Sequence, residues 1–338
     1  MSKKDDHIES ALHQHPETND FDRVRLMPNA LPECALESVD PSIKFLGHTV
    51  DWPIYINAMT GGTKRAKAIN AALSVLAAHF NIPMATGSVS IALKDSDVAD
   101  SFTTIRAHNP RGVILANLGA EHSLQNARAA INLVRADALQ IHLNAMQELI
   151  MPGGDEDFHG WIDSIETIHS SIDVPLVIKE VGFGIDPASF KRLAEIGVDA
   201  VDVAGRGGTD FASIENARRT KPLMLQDAHG LSTVEALLEV PKTYANSVFA
   251  SGGIRNPYDV IKALALGADA VGLSGWFLRV VENNTLEDAK QRVGEFLDEL
   301  KRLMCAFGAC DVAGIRTIEK IYDPTLYAYI QQRDIKKA

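Results

Sequence analysis

From about residue 50 onward, short apolar runs alternate with stretches of helical spacing. The runs are PIYINAM (53–59), PMATGS (83–88), GVILANLG (112–119), ALQIHLN (138–144), PLVIKEVG (175–182), DAVDVAG (199–205), SVFASGG (247–253) and DAVGLSG (269–275). Between them, segments such as AKAINAALSVLAAHF, ASFKRLAEIG and YDVIKALALGA repeat their apolar residues every third or fourth position, as a helix with one buried face does. Within the runs the apolar residues are consecutive rather than alternating, the pattern of parallel strands covered on both faces. Seven of the eight runs end in Gly, Asn or Ser, and PIYINAM has its Asn two residues before its end, where a strand gives way to a loop. Eight β-then-α units predict an α/β fold, a (β/α)8 TIM barrel. A doubly wound open sheet is the competing architecture, and a count of eight without a domain break favours the barrel. PLMLQDAHGLSTVEALLEV (222–240) fits this scheme poorly. It reads as a strand-like run plus a helix, part of an insertion around 210–240, or else as a replacement for one of the eight strands.

The flanks differ from the barrel body (51–338). Residues 1–50 are polar and rich in charge, His and Pro, and are expected to form an N-terminal arm and cap, partly mobile without ligand. After about residue 305 a C-terminal helical extension is expected, with GIRTIEKI as a helix followed by YDPTLYAYI.

Composition narrows the class. The chain has 338 residues, 46% hydrophobic and 23% charged, enough apolar mass for a large core. No apolar run reaches the roughly 20 residues that a membrane-spanning helix needs. The start, MSKKDDHIES, carries two lysines but no apolar stretch behind them, unlike a signal peptide. Cys34, Cys305 and Cys310 are too few for a disulfide frame, and none lies in a CxxC motif, so a reducing, cytoplasmic setting is expected. The net charge is −11, and no basic cluster offers a face to nucleic acid. An anionic ligand must therefore be met by a few local cations and backbone N–H groups, which points to a compact small-molecule site.

In a barrel of this kind the active site lies at the C-terminal strand ends. The clearest signal there is ASGGIRNPYDVIKALALGADAVGLSG. Its seventh strand ends in Ser251-Gly252-Gly253 and its eighth in Ser274-Gly275, with a helix opening near Pro257. Glycines let the backbone approach a phosphate, and helix starts offer free N–H groups. Two adjacent loops agree with the usual phosphate site of such barrels, with Arg255 as an added charge; tight turns alone are the plainer explanation. INAMTGG places Ala58, Met59 and Thr60 where a flat ring could lie on the backbone. Lys179, at the end of a buried strand, must meet an anion, either a flavin's reduced ring or the neighbouring Glu180. His142 and Asn144 share one side of the fourth strand, with Gln147 and Glu148 beyond them. Glu148 is a candidate Mg2+ ligand beside phosphates, although by themselves His142 reads better as a hydrogen-bonded mouth residue and Glu148 as a solvated loop acid. GRGGTDF adds another close-approach loop, with Thr209 as a phosphate or ribityl donor.

Together these segments resemble the type 2 isopentenyl diphosphate isomerases. KKDDHI, NDFDRVRL with LPE, INAMTGG, HLNAMQELIMPGGDEDF, VIKEVGFG, GRGGTDFASIE, ASGGIRNP and GLSGWFL occur in family order over nearly the whole chain. The resemblance implies that reduced FMN interconverts isopentenyl and dimethylallyl diphosphate. NADPH serves only to reduce the flavin, and Mg2+ assists. It implies FMN contacts at Ala58, Met59, Thr60, Ser88, Asn117, Lys179, Thr209, Gly252, Gly253, Arg255, Ser274 and Gly275. His142, Asn144 and Gln147 become substrate and catalytic residues, Lys3 and Lys4 diphosphate contacts, and Glu148 the metal ligand. A homotetramer or homo-octamer is implied, with a small-molecule diphosphate as substrate. The chain departs from the family at Val89-Ser90, where Gln-Arg is usual, and at Lys3-Lys4, where Arg-Lys is usual. Two fork-shaped guanidinium groups are thereby lost, with Lys94 a possible compensation.

Other flavin barrels fit less well. A 2-hydroxy-acid oxidase would need a His-Arg pair at a late glycine loop, which GRGGTDF lacks. An inosine-phosphate dehydrogenase would need a loop cysteine, and a glutamate-synthase barrel iron–sulfur cysteines. A non-catalytic FMN or phosphate sensor, or an FMN oxidoreductase of another substrate, stays open.

Overall fold

The computed structural model describes residues 3–14, 17–224 and 230–335. Eight parallel strands close into a barrel: β1 (Ile54–Ile56), β2 (Met84–Ser88), β3 (Ile114–Gly119), β4 (Ala138–Leu143), β5 (Leu176–Glu180), β6 (Ala200–Asp202), β7 (Ser247–Ser251) and β8 (Ala270–Leu273). Closure is made by β8 on β1, with Val271 opposite Ile54. All eight expected runs are the barrel strands, so the open sheet is excluded. The 222–240 segment displaces none of them. It supplies the helix Thr233–Leu238, opened by Ser232 and Glu235 in a reciprocal capping box, while 225–229 of its expected strand-like run lie outside the described residues.

Side chains alternate in and out along each strand. Inward positions form two layers of opposite character. The lower one is apolar: Tyr55, Leu115, Ala138, Val177, Ala200, Phe249 and Ala270 cluster with Phe45 and Val50. Two residues further along the strands the interior turns polar, with Asn57, Asn117, Gln140, Lys179, Asp202 and Ser251 all buried. The outward faces pack under the helices in one large core that includes Ile56, Leu118, Ile141, Ile178, Val201 and Leu273.

The bottom of the barrel is plugged by a hairpin (Ile43–Phe45 with His48–Val50). Phe45 is fully buried there and stacks on Phe249 at 4.8 Å between ring centres. The N-terminal arm opens as a helix, Lys3–His13, whose Ile8 is buried in the main core.

The C-terminal extension departs from the expected helix over GIRTIEKI. The helix spans only Val312–Arg316, and Lys320–Tyr322 is instead a strand paired antiparallel with Val24–Leu26. A distant partner satisfies that backbone, so local spacing misleads. A last helix follows at Pro324–Gln332.

Phe45→Ala should lower unfolding free energy by about 3–5 kcal/mol, the usual cost of emptying a buried aromatic site. Urea unfolding monitored by circular dichroism checks this. A loss below about 1 kcal/mol would mean that the plug does not hold the barrel floor.

Candidate active site: an acid-free cavity at the barrel mouth

A cavity opens over the C-terminal ends of β1 and β5–β8. Its wall includes Ala58, Met59, Thr60, Lys179, Thr209, Gly252, Gly253, Ser274 and Gly275. Nine of the twelve residues expected at the cofactor are thus brought together, and Arg255 also reaches the wall. Among the described residues no Asp or Glu lines it, while Lys179, Arg255 and Arg279 do. In a chain of net charge −11 this is a local reversal of sign, and it selects anions.

The glycine loops are shaped for close approach. Gly252 has φ +94°, and a Cβ there would lie 2.1 Å from the Gly205 carbonyl oxygen. Gly253 has φ +79°, and its Cβ would meet Asn19 Nδ2 and Gly207 O at 2.8 Å. Only glycine tolerates both the left-handed backbone and the absence of space. The Asn19 side chain, from the N-terminal strap, donates to the carbonyls of Gly253 (2.8 Å) and Gly207 (3.3 Å), fastening that strap to the cradle.

Arg255, expected as an FMN contact, reaches the cavity wall with its guanidinium already engaged by protein partners. Its guanidinium binds Asp22 (2.6 and 2.9 Å), Asp259 (2.8 and 3.1 Å) and the Glu17 carbonyl (2.9 Å). The hydrogen bond from Arg255 holds the Asp22 carboxyl below its usual range. Arg255 therefore clamps the strap Asp20–Arg23 to the helix Pro257–Ala265. Sequence reasoning had no sight of these partners, since Asp22 lies far away along the chain.

Beneath the cavity runs the polar layer. Asp202 is fully buried and accepts from Tyr55 Oη (2.5 Å), Asn57 Nδ2 (2.9 Å), Ser251 Oγ (2.8 Å) and the Ala204 N–H (3.1 Å). Burial, reinforced by Asp202, pushes the Tyr55 hydroxyl well above its ordinary value. Lys179 stands in register with Asp202 on the next strand. Burial lowers the lysine's pKa, while the charges of Asp202 and Glu180 oppose that shift. Its ammonium donates to the Glu180 carbonyl at 2.5 Å. The Glu180 carboxyl is turned instead to the N–H groups of Val181, Gly182 and Phe183, at 2.6, 2.7 and 2.5 Å. The expected alternative, a plain Lys179–Glu180 side-chain pair, is not what fixes this turn.

The remaining expected residues lie on the β2–β4 side. Asn117 donates to Gln140 Oε1 (2.8 Å), and its Oδ1 meets His142 Nδ1 (2.9 Å). Gln140 continues to Asn57 at 3.4 Å, so His142 is wired to the Asp202 centre. Asn144 donates to Glu148 Oε1 (2.7 Å), and Glu148 Oε2 accepts from the Asp155 N–H (3.1 Å). Gln147 donates to Glu215 Oε1 at 3.1 Å. Glu215 was not singled out from sequence, yet its fully buried side chain also meets His7 Nε2 (3.0 Å) and Arg218 Nη1 (3.0 Å). The final IE of GRGGTDFASIE was the only trace of it. Ser88 lies outside the cavity wall. Its Oγ contacts Ser90 Oγ at 2.7 Å, which contacts His122 Nε2 at 2.7 Å. Ser90, where a basic residue was expected, thus brings a histidine with it. Lys3 and Lys4 open the N-terminal helix, but their side chains lie outside the described residues. Lys94 is exposed.

Two observations test the fit of particular groups. Thr60 Oγ1 is buried at the cavity wall without a hydrogen-bond partner among the described residues, an arrangement that a bound polar ligand would complete. For a metal, no cluster of three or more His, Cys, Asp or Glu side chains is arranged to hold one among the described residues. A carboxylate such as Glu148 acting alone suits only an ion shared with a phosphorylated ligand.

The model of the FMN-dependent dehydrogenase family matches residues 5–102 and 109–320. The chain belongs to this family. It is 42% identical over 337 residues to an isopentenyl-diphosphate delta-isomerase of Staphylococcus haemolyticus, covering 98% of this chain and 96% of that one. It is 41% identical over 337 residues to the enzyme of the same name from Latilactobacillus sakei, with the same coverage. At this identity over the full length, the chain belongs with the isopentenyl-diphosphate delta-isomerases within the FMN family. Among solved structures, mandelate oxidase superposes with a TM-score of 0.66 at 18% identity, covering 94% of each chain, a likeness of fold. The glycine cradle, the unpartnered Thr60 hydroxyl and Lys179 fit the FMN that the family uses. No helix among the described residues is long and apolar enough to cross a membrane.

Thr60→Val should leave the apoprotein's stability unchanged or slightly higher and weaken FMN binding about 5- to 10-fold, the value of one hydrogen bond. Fluorescence titration of FMN with the apoprotein checks it. Lower apoprotein stability with unchanged affinity would assign the hydroxyl a purely internal role.

Glu180 gives a pH prediction. Burial raises its carboxyl from 4.5 to about 7, against the pull of the Phe183, Gly182 and Val181 N–H groups and Lys179. A raised folded-state pKa contributes stability that is complete below about 4.5 and lost as pH rises toward about 7. Over that window the urea midpoint of Glu180→Gln should gain on that of the natural protein. A pH-independent difference would show that the three N–H donors keep the carboxylate ionised throughout.

Proposed function

We propose that this protein is an FMN-dependent isomerase that interconverts isopentenyl diphosphate and dimethylallyl diphosphate. The observation that carries the reading is the cavity, without Asp or Glu among its described lining residues, with its glycine cradle and buried Lys179; His142 pairs with Lys179 across the sheet, and Glu215, which holds Gln147, also meets His7 of the cavity wall. Relatives at about 40% identity over the whole chain bear the isomerase name and support it.

On this reading the residues divide their work. The loops at Gly207–Gly208, Gly252–Gly253 and Ser274–Gly275 hold the cofactor phosphate, with Thr209 as a further donor. Thr60 and the backbone of Ala58–Met59 support the ring system, and Lys179 stabilises negative charge on it. When bound and reduced with NADPH, FMN supplies an electron-rich ring system and a site of proton exchange; the net reaction is redox-neutral. An unactivated alkene is a weak base, so the proton must be delivered in a dry, ordered pocket. Gln147, held by Glu215 Oε1, orients the reacting carbon. His142 is fixed by Asn117 and lies next to Lys179 across the sheet. Asn144 aims Glu148, which together with diphosphate oxygens would hold Mg2+. Lys3 and Lys4 complete the diphosphate contacts as the N-terminal helix covers the mouth. The wall, rich in Met59, Phe211 and Trp276, keeps water from the carbon skeleton.

The test is an anaerobic assay with FMN, NADPH, Mg2+ and isopentenyl diphosphate. Dimethylallyl diphosphate should form without net consumption of NADPH. Gln147→Ala should retain flavin and lose about 100-fold in kcat, the scale on which a misplaced reacting group slows a reaction. A yellow protein that makes no product would overturn the isomerase reading in favour of an FMN-binding sensor.

A further inference from the structure

Three cations reach the cavity wall, and they differ in what they are bound to. Arg255 is saturated by Asp22, Asp259 and the Glu17 carbonyl. Lys179 gives its hydrogen bond to the Glu180 carbonyl and has the Asp202 charge nearby. Arg279 is different. It projects from the helix Gly275–Asn283, and among the described residues it makes no hydrogen bond or ion pair. Burial alone lowers its pKa, with no acidic neighbour opposing the shift. Arg279 is half-buried, and a guanidinium partly withdrawn from water without a counter-charge is unfavourable unless something else supplies the charge.

The surroundings of Arg279 indicate what that is. Gly275 sits one turn before it, and a Cβ there would lie 3.2 Å from Arg279 Nη1, so glycine keeps the guanidinium's approach to the cavity open. The same wall holds Ser274, Gly252 and Gly253. No acid lines the cavity among the described residues, so the protein itself offers Arg279 no partner there.

We propose that Arg279 is an anion-binding residue of this cavity, whose planar fork takes two oxygens of a phosphoryl group. This rests on the FMN and diphosphate reading above and adds a contact to it. A guanidinium matches phosphate oxygens in paired geometry, which neither Lys179 nor the occupied Arg255 offers. The phosphoryl group belongs either to the cofactor or to the substrate, and two binding measurements separate these.

The experiment compares the natural protein with Arg279→Met and Arg279→Lys. In the first arm apoprotein is titrated with FMN and with riboflavin, which lacks the phosphate. In the second arm FMN-loaded protein is titrated with inorganic pyrophosphate. Arg279→Met should weaken one of these anion contacts about 10- to 100-fold, the range for a charge-assisted hydrogen bond, and Arg279→Lys should fall between. Loss of FMN affinity with riboflavin affinity unchanged assigns the residue to the cofactor phosphate. Unchanged FMN affinity with weakened pyrophosphate assigns it to the substrate side. Thermal stability of the apoprotein should hold or rise in Arg279→Met, because an uncompensated cation is removed. A stability loss with both affinities unchanged would mean a structural role and overturn the proposal. If the natural protein binds neither FMN nor pyrophosphate, the functional reading and this inference fail together. If it binds both and Arg279→Met matches it, the inference alone fails.

Discussion

A single buried carboxylate organises the upper half of the barrel. Asp202 has no exposure to solvent and accepts four hydrogen bonds, from β1 and its end, from β7 and from its own loop. Breaking such a network by removing one partner leaves an uncompensated buried group, so its members must be placed together. Gly272 reflects that demand: a Cβ there would lie 2.7 Å from Tyr55 Cζ and 2.9 Å from Asn57 Nδ2. The network extends through Gln140 and Asn117 to His142, and the charge at its centre opposes the effect of burial on Lys179. The two residues that face the two ligands of the proposed reaction thus stand on one polar floor.

Above that floor, the N-terminal strap closes the account of the site. Asn19 is fixed to the glycine cradle and Asp22 to Arg255. Val24–Leu26 is paired with Lys320–Tyr322. His7, on the N-terminal helix, reaches Glu215. His7, Asn19, Asp22 and Val24–Leu26 are therefore held by contacts to the segments that follow β6 and β7 and to the C-terminal extension. Asn19 and Asp22 thus tie the strap to the loops that form the cradle.

Much of this was legible in the sequence, for identifiable reasons. Consecutive apolar runs, seven of them ending in Gly, Asn or Ser, mark all eight barrel strands, because strands covered on both faces leave no polar alternation. The glycine loops were legible because Gly252 and Gly253 occupy backbone space that no side chain shares. What was hidden depends on distant pairing. The strand at Lys320–Tyr322 looks helical until its partner at Val24–Leu26 is known. Arg255 looks like a free cation until Asp22 is beside it. Arg279 sits in the apolar helix GWFLRVVEN, where nothing local distinguishes it from a surface charge. The hairpin plug at 43–50 gave no sequence signal of its own, since its burial depends on Tyr55 and Phe249 inside the barrel.

In an acidic protein, the barrel-mouth cavity, without Asp or Glu among its described lining residues, is proposed to hold FMN by its phosphate. Phosphorus NMR of FMN bound to the protein tests it most directly across the pH range in which a free phosphate monoester titrates, near a pKa of about 6. A buried phosphate held by the N–H groups of the glycine loops should stay dianionic and show a shifted resonance that does not move with pH. A phosphorus resonance that titrates like free FMN, from flavin that is nevertheless bound, would place the phosphate in solvent and contradict the account.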